Sequence, residues 1–505
     1  MTKRSDLRQR RAAAFAEPAL DQRTSIITTV LISLVVLSAF FGRFNIPVLG
    51  FNVRLEQIFP VILAVWMTVV PALRKPFLRT LRHPVVFVYA LFVAWNILST
   101  LIFSPDYGWS VSIVAWLAID LLILMSIMTL RSGAELSFRI LVAAVVPWAL
   151  AGIVVFLLAN LTSGAFNFGV AFDWLYEIYV ARVTAIEANI FASILMVCGL
   201  LAITRRGLPW WWVTVLCVTI PLGLLASQTR TAVFSMAGGA AVFIIASLFR
   251  RGQKANEWIR RVAPAVSLVV TLALFYVVVS AVQSQPMSSP TAPEPTSAPA
   301  AIEATEPATD NATDAEPSMP SASAMSTPAQ AAVSAPEPSP SPTPTRAVPD
   351  PSAPDTQNKL GDFSVEGGTV GFRMKIVGMA LDDLHGANLW FGNGTNTFGL
   401  THIQPDTPGN VSGHIIILPV QVLYDGGIVG LGLLIALFVT AFFCTPTPRK
   451  PIAAGVLAAF LVSATMTSFF WFAITWLMFA VLLRPADGDD VAKPIAFRRQ
   501  KEARA

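Results

Sequence analysis

The chain has 505 residues, 54% hydrophobic and 13% charged, with mean hydropathy +0.63 and a formal net charge of +5. Soluble domains carry about a quarter charged residues, so this composition excludes an ordinary water-soluble fold. The basic residues are scattered over short loops rather than gathered in one patch, which argues against nucleic acid as a partner.

Apolar runs on the scale of a bilayer core recur along the chain and predict an all-α polytopic membrane protein of about twelve spans. The runs are Ser25–Phe41, Ile58–Leu73, Pro84–Phe103, Trp109–Leu130, Phe138–Ala159, Asn189–Ile203, Pro209–Ala226, Thr231–Phe249, Ala263–Val282, Ile428–Phe443, Ile452–Met466 and Trp471–Leu483. With Lys3, Arg4, Arg8, Arg10, Arg11 and Arg23 inside, alternate crossings leave 27 of the 35 Lys and Arg inside and 8 outside. That asymmetry predicts both termini on the cytoplasmic side. The run Ser25–Phe41 lacks a small-residue cleavage site and precedes further spans, so it reads as a span rather than a removed signal.

Within the first nine spans, few polar groups invite chemistry. Asp120 lies inside the fourth, where an ionisable residue suggests a proton or ion site. Arg182 and Glu187 precede the sixth on the outer side, close enough in sequence to pair or to orient a ligand together. Cys198, Cys217 and Cys444 lie in or at the inner ends of spans, with neither a metal-ligand spacing nor a disulfide framework. Arg230, in SQTRTA, is held at the bilayer edge between two spans, so it either snorkels or binds an anion. Guanidinium groups suit bidentate contact with phosphate.

After residues 1–282, the sequence divides three ways. Residues 283–362, as in SAPEPSPSPTPTRAVPDPSAPD, are too poor in apolar side chains to offset ordering entropy and predict a disordered external linker. Residues 363–427 predict an external loop with short helices. In it Ile376, Val377, Ala380, Leu381 and Leu384 mark one face of a helix running from Arg373. Trp390, Phe391 and Phe398 flank a Gly392-Asn393-Gly394 turn. Arg373 at a helix start opposes the dipole unless an anion binds there. Ser412 is placed to cap a helix beginning near His414, which Pro419 would kink or restart and Asp425-Gly426-Gly427 would end. Three of the four histidines, His385, His402 and His414, are outside, while His83 is inside. A histidine in the first helical turn tends to stay neutral and can act as a general base; an interfacial histidine with one satisfied hydrogen bond is the alternative. Residues 428–505 supply the last three spans and a basic cytoplasmic tail. Walker, GxSxG and HExxH motifs are absent.

Four segments together resemble the O-antigen ligase and O-antigen polymerase superfamily of polytopic glycosyltransferases. They are RVTAIEANIFASILM, SQTRTAVFSMAGG, GFRMKIVGMALDDLHGANLWFGNGTNTF and GHIIILPVQVLYDGGIVGLGLL, covering roughly Arg182–Leu434. Three details depart from the family pattern: Ile415–Ile417 follow His414 where a polar residue is common, Asp425 stands where Glu is usual, and the Pro-rich insertion is long. The resemblance implies a GT-C-like fold in a bacterial cell membrane, with the site on the external face. It implies a donor glycan on undecaprenyl diphosphate and an acceptor that is a glycan, lipid or protein. Arg230 and Arg373, with Arg182, would hold the diphosphate; His414 would take the acceptor proton; Glu187 and Asp425 would support the site. The implied reaction inverts the anomeric centre and needs no metal or other cofactor. A lipid-linked sugar transporter or flippase is the alternative that the number of spans and Asp120 allow, and a scaffold presenting the external linker is a third.

Overall fold

The computed structural model describes residues 20–48, 51–173, 178–185, 187–204, 209–249, 255–283, 368–402, 415, 417–467 and 470–483. The chain is mostly helical. Among the described residues, five helices are long and apolar enough to cross a membrane: α4 (Pro84–Phe103), α5 (Tyr107–Thr129, apolar over Ser110–Thr129), α6 (Arg131–Leu161), α9 (Arg230–Leu248) and α14 (Leu418–Cys444). A sixth span arises if the bent pair α2 (Leu55–Val69) and α3 (Pro71–Arg79) is counted as one. The remaining apolar runs hold the shorter helices α1 (Gln22–Ser38), α7 (Ala188–Ile203), α8 (Trp210–Ala226), α15 (Lys450–Ala464) and α16 (Ala473–Leu483), and the long α10 (Ala255–Gln283), which is apolar over Val262–Phe275.

The expectation of one straight helix through Ile58–Leu73 is corrected by a 111° bend. Val70 is extended at φ −76° and ψ 114°, and Pro71 opens the next helix. Proline disfavours helical geometry in the residue before it, so the break is local chemistry. Nor is the chain wholly α. Two hairpins interrupt it: β1 (Asn45–Val48) with β2 (Phe51–Arg54), and β3 (Val170–Asp173) with β4 (Ile178–Ala181), both antiparallel. Their alternation is too short to stand out against the flanking apolar runs.

The helices are layered by burial. Every side chain of α7 from Ile190 to Ile203 is buried, and so is all of α16. Peripheral helices expose large apolar side chains instead, including Ile26, Phe87, Leu101, Val154, Ile435 and Phe443. A protein whose outward faces are this apolar is suited to lipid rather than water. The pair α9 and α15 approach through glycines. A Cβ on Gly239 would sit 2.6 Å from the Gly455 carbonyl oxygen, and one on Gly455 would sit 2.7 Å from the Gly239 oxygen. Small residues at such a crossing allow close backbone contact between membrane helices.

Between α10 and α14 lie α11 (Gly368–Asp382), α12 (Ala387–Phe391) and α13 (Phe398–His402). The linker expected at 283–362 and the segment carrying Ser412 and His414 lie outside the described residues, as do most of the N-terminal basic residues and the whole C-terminal tail. The helix expected to begin near His414 begins instead at Leu418, with Pro419 in its first turn. Proline is tolerated there because that N–H has no helical partner.

Candidate functional site

The segment carrying α11, α12 and α13 is tied to the long apolar helices by a dense polar knot. At the end of α12, Gly392 has φ 82° and ψ −178°; within α14, Gly427 has φ 66° and ψ −167° and kinks the helix. Both dihedral pairs belong to a region that is essentially glycine-only. The two glycines face each other's chain. A Cβ on Gly392 would lie 2.3 Å from the Asp425 carbonyl, and one on Gly427 would lie 2.3 Å from the Trp390 carbonyl.

Hydrogen bonds then fix this contact from three sides. Asn393 donates its backbone N–H to the Tyr424 carbonyl at 2.8 Å. The buried Asp425 carboxylate accepts the Asn396 backbone N–H at 3.0 Å and the Gln421 side-chain amide at 2.8 Å. From α4, Trp95 donates its indole N–H to the Gly426 carbonyl at 2.7 Å. The Ser99 hydroxyl lies 2.7 Å from both the Phe391 and Asp425 carbonyls. Thr395 donates its backbone N–H to the Thr100 hydroxyl at 3.2 Å. The sequence marked α4 only as an apolar run; its polar face at Trp95, Asn96, Ser99 and Thr100 is what grips the glycine turn.

Arg373 sits in α11, which begins at Gly368 rather than at Arg373. The arginine therefore occupies the second turn, and the expected conflict with the helix dipole does not arise. Its guanidinium is half-buried. Nη1 donates to Met466 Sδ at 3.1 Å, while Nε is buried without a hydrogen-bond partner. No carboxylate among the described residues pairs with it, and burial pushes its pKa down. Three residues on, Ile376 joins Ala380, Phe398, Tyr424 and Ile415 in one buried cluster. Ile415 is the residue after His414, and its backbone N–H is held by the Gln421 side-chain oxygen at 2.7 Å. Ile415 is thus anchored against the helix that carries Arg373.

Arg230 is the exposed first residue of α9. The glycine contacts run antiparallel, Gly239 near Ala459 and Gly455 near Phe243. Arg230 lies nine residues before Gly239, and Ala464 nine residues after Gly455. At about 1.5 Å per residue, the start of α9 therefore comes level with the end of α15, next to Met466. Arg230 and the Met466 contact of Arg373 belong to the same end of the bundle. In the preceding turn, the Thr229 hydroxyl donates to Asn189 Oδ1 at 3.2 Å, joining the starts of α9 and α7.

Arg182 follows β4, half-buried, with its backbone N–H on the Gly169 carbonyl at 2.9 Å. Burial, and then the neighbouring Arg43, lower its pKa. Asn160 at the end of α6 grips this hairpin through both the N–H and the carbonyl of Tyr179. Glu187 is exposed at the N-cap of α7, and its side chain makes no capping hydrogen bond. Asp425 is not open to a ligand: it is 1% exposed and engaged on both oxygens. Sequence reasoning missed Arg43 beside Arg182. It also missed a small network in which Asp383 Oδ2 meets His402 Nε2 at 2.6 Å and accepts the Tyr424 hydroxyl at 3.0 Å. The acid at Asp383, nineteen residues before His402, gave no motif to find it by. Among the described residues, no three His, Cys, Asp or Glu side chains gather as a metal-ligand set. No protein-family model matches the chain, and no curated protein matches it.

Proposed function

We propose that this protein is a membrane glycosyltransferase that moves a glycan from an undecaprenyl-diphosphate-linked donor to an acceptor hydroxyl at the outer face of a bacterial cell membrane. In this reading twelve helices cross the bilayer in a GT-C-like arrangement, with both termini cytoplasmic, and the enzyme is O-antigen ligase-like or polymerase-like. The acceptor oxygen attacks the anomeric carbon from the side opposite the diphosphate. The bond from that carbon to the phosphate oxygen breaks, its electron pair leaves with the diphosphate, and the anomeric centre inverts. Arg373 and Arg230, with Arg182 nearby in the outer loops, neutralise the leaving charge. His414 takes the acceptor proton.

The observation that carries this reading is Arg373: a half-buried guanidinium without a carboxylate partner among the described residues. A buried cation in that condition is costly unless a ligand supplies the anion, and a diphosphate fits its donors. The packing of Ile415, the next residue in sequence after His414, beside the Arg373 helix adds support.

His414→Ala should lower glycan transfer by about 100-fold or more while the protein still inserts and binds lipid diphosphate. Transfer at the wild-type rate would remove the proposed base. Arg230→Ala and Arg373→Ala should each weaken lipid-diphosphate binding, and unchanged affinity in both would remove the clamp.

A further inference from the structure

A second polar centre lies away from this site, where α2, α5 and α16 meet. Asp120 on α5 is 3% exposed and Glu56 at the start of α2 is 5% exposed. Arg54, the last residue of β2, is bonded to Glu56, with Nη1 to Oε1 at 3.1 Å. Its guanidinium also lies over the Trp116 ring, 4.3 Å from the centroid. Arg54 is thereby committed to Glu56 and to aromatic faces. Asp120 faces this pair, with the Trp476 indole of α16 as a hydrogen-bonding neighbour and Tyr89 of α4 close by. The Tyr89 hydroxyl is donated to the Leu117 carbonyl at 3.0 Å. Asp120 Oδ2 is buried with no hydrogen-bond partner.

Between these groups is a cavity of about 10 Å³, lined by Glu56, Gln57, Trp116, Asp120 and Trp471. That is room for about one water molecule, or for an ion of similar size. Two carboxylates and one guanidinium leave one negative charge in apolar surroundings. A buried, uncompensated carboxylate does not persist there. The missing partner must be positive, singly charged and small, and the available donors are oxygen atoms, which suit a hard cation.

We infer that the Glu56–Asp120 cavity is a binding site for one small monovalent cation, a sodium ion or a proton, held by Asp120. The site is separate from the diphosphate clamp and goes beyond the glycosyltransferase reading. Occupancy neutralises Asp120 and ties α5 to α2, so the cation stabilises the packing of those helices and is released only at a cost to it. A chain reading as a transferase would then carry an ion-sensitive element inside its membrane domain.

The test uses the full chain in lipid nanodiscs. In one arm, radioactive sodium is titrated at constant ionic strength with choline as the replacement ion, and bound sodium is counted per chain. In the other, pH is titrated without sodium, and the carbonyl band of a protonated carboxylic acid is followed by difference infrared spectroscopy. The expected result is a signal of one equivalent in one arm, which names the cation, and its loss in Asp120→Asn. Thermal unfolding of the wild type should shift upward with the cation that binds, as linkage requires, and Asp120→Asn should lose that shift. Neither bound sodium nor a protonated acid in the wild type overturns the inference, whether or not the variant inserts. A signal that survives in Asp120→Asn overturns it too.

Discussion

The glycine knot and the Arg373 guanidinium lie close together in the chain, yet they treat buried polarity in opposite ways. At the knot, Asp425, Ser99, Trp95 and Gln421 all have close partners, and the two glycine kinks are locked face to face. At Arg373 the partner among the described residues is a thioether, and Nε has none there. The difference separates framework from binding surface. Satisfied polar groups fix where the segment sits on α4 and α14. Under the proposed function, Arg373 is the group that would take the anion of the ligand.

Breaking the framework should have the largest effect. Gly427→Val puts a branched side chain at φ 66°, where its Cβ would meet the Trp390 carbonyl at 2.3 Å. Left-handed strain of about 1–3 kcal/mol adds to overpacking of about 1–3 kcal/mol. The variant should lose the folded external segment, read as a large fall in thermal stability and protease cleavage between α11 and α14. A resistant, fully active variant would show that the kink is not required.

Asp425→Asn is a smaller perturbation of the same knot. The carboxylate accepts from both the Asn396 N–H and the Gln421 amide; an asparagine can accept from one and must turn its own donor toward the other. An unmet buried hydrogen bond costs about 1–3 kcal/mol, so the melting temperature should drop by several degrees. Gln421→Glu in that background offers an acceptor to the new amide and should restore part of the loss. No rescue would mean that Asp425 acts on something other than this bond.

Much of this was legible in the chain, for identifiable reasons. Helices occur at all of the apolar runs, although among the described residues only five are long and apolar enough to cross a membrane, and Pro71 explains the run that breaks. The glycines at Gly392, Gly394 and Gly427 announced special backbone conformations, and all three have positive φ. Their partners were not legible. Ser99 meets residues about 300 positions away, and nothing local in a membrane helix distinguishes a serine that grips a distant carbonyl from one that bonds within its own turn. The same holds for Asp120. Its isolation in an apolar run was visible, but Glu56 and Arg54 reach it only through tertiary packing. Asp425 was expected to support the site; the bonds of its two oxygens to the Asn396 N–H and the Gln421 amide also come from tertiary packing that no local pattern announces.

The smallest effect on stability, and the sharpest test of the contrast, is Arg373→Ala. A residue belonging to the framework would destabilise the fold when truncated. Arg373 contributes one weak contact to Met466 and carries a half-buried charge that no carboxylate among the described residues pairs with. Its removal should therefore change stability by no more than about 0.5 kcal/mol, the range of substitutions that break no special feature. Affinity for a lipid diphosphate should nonetheless fall by about tenfold or more, since a hydrogen bond to a charged group is worth about 1.5–3 kcal/mol. Arg373→Lys keeps the charge but loses the planar fork, and should recover only part of the affinity. A large loss of stability with unchanged binding would reverse the assignment and make Arg373 part of the scaffold.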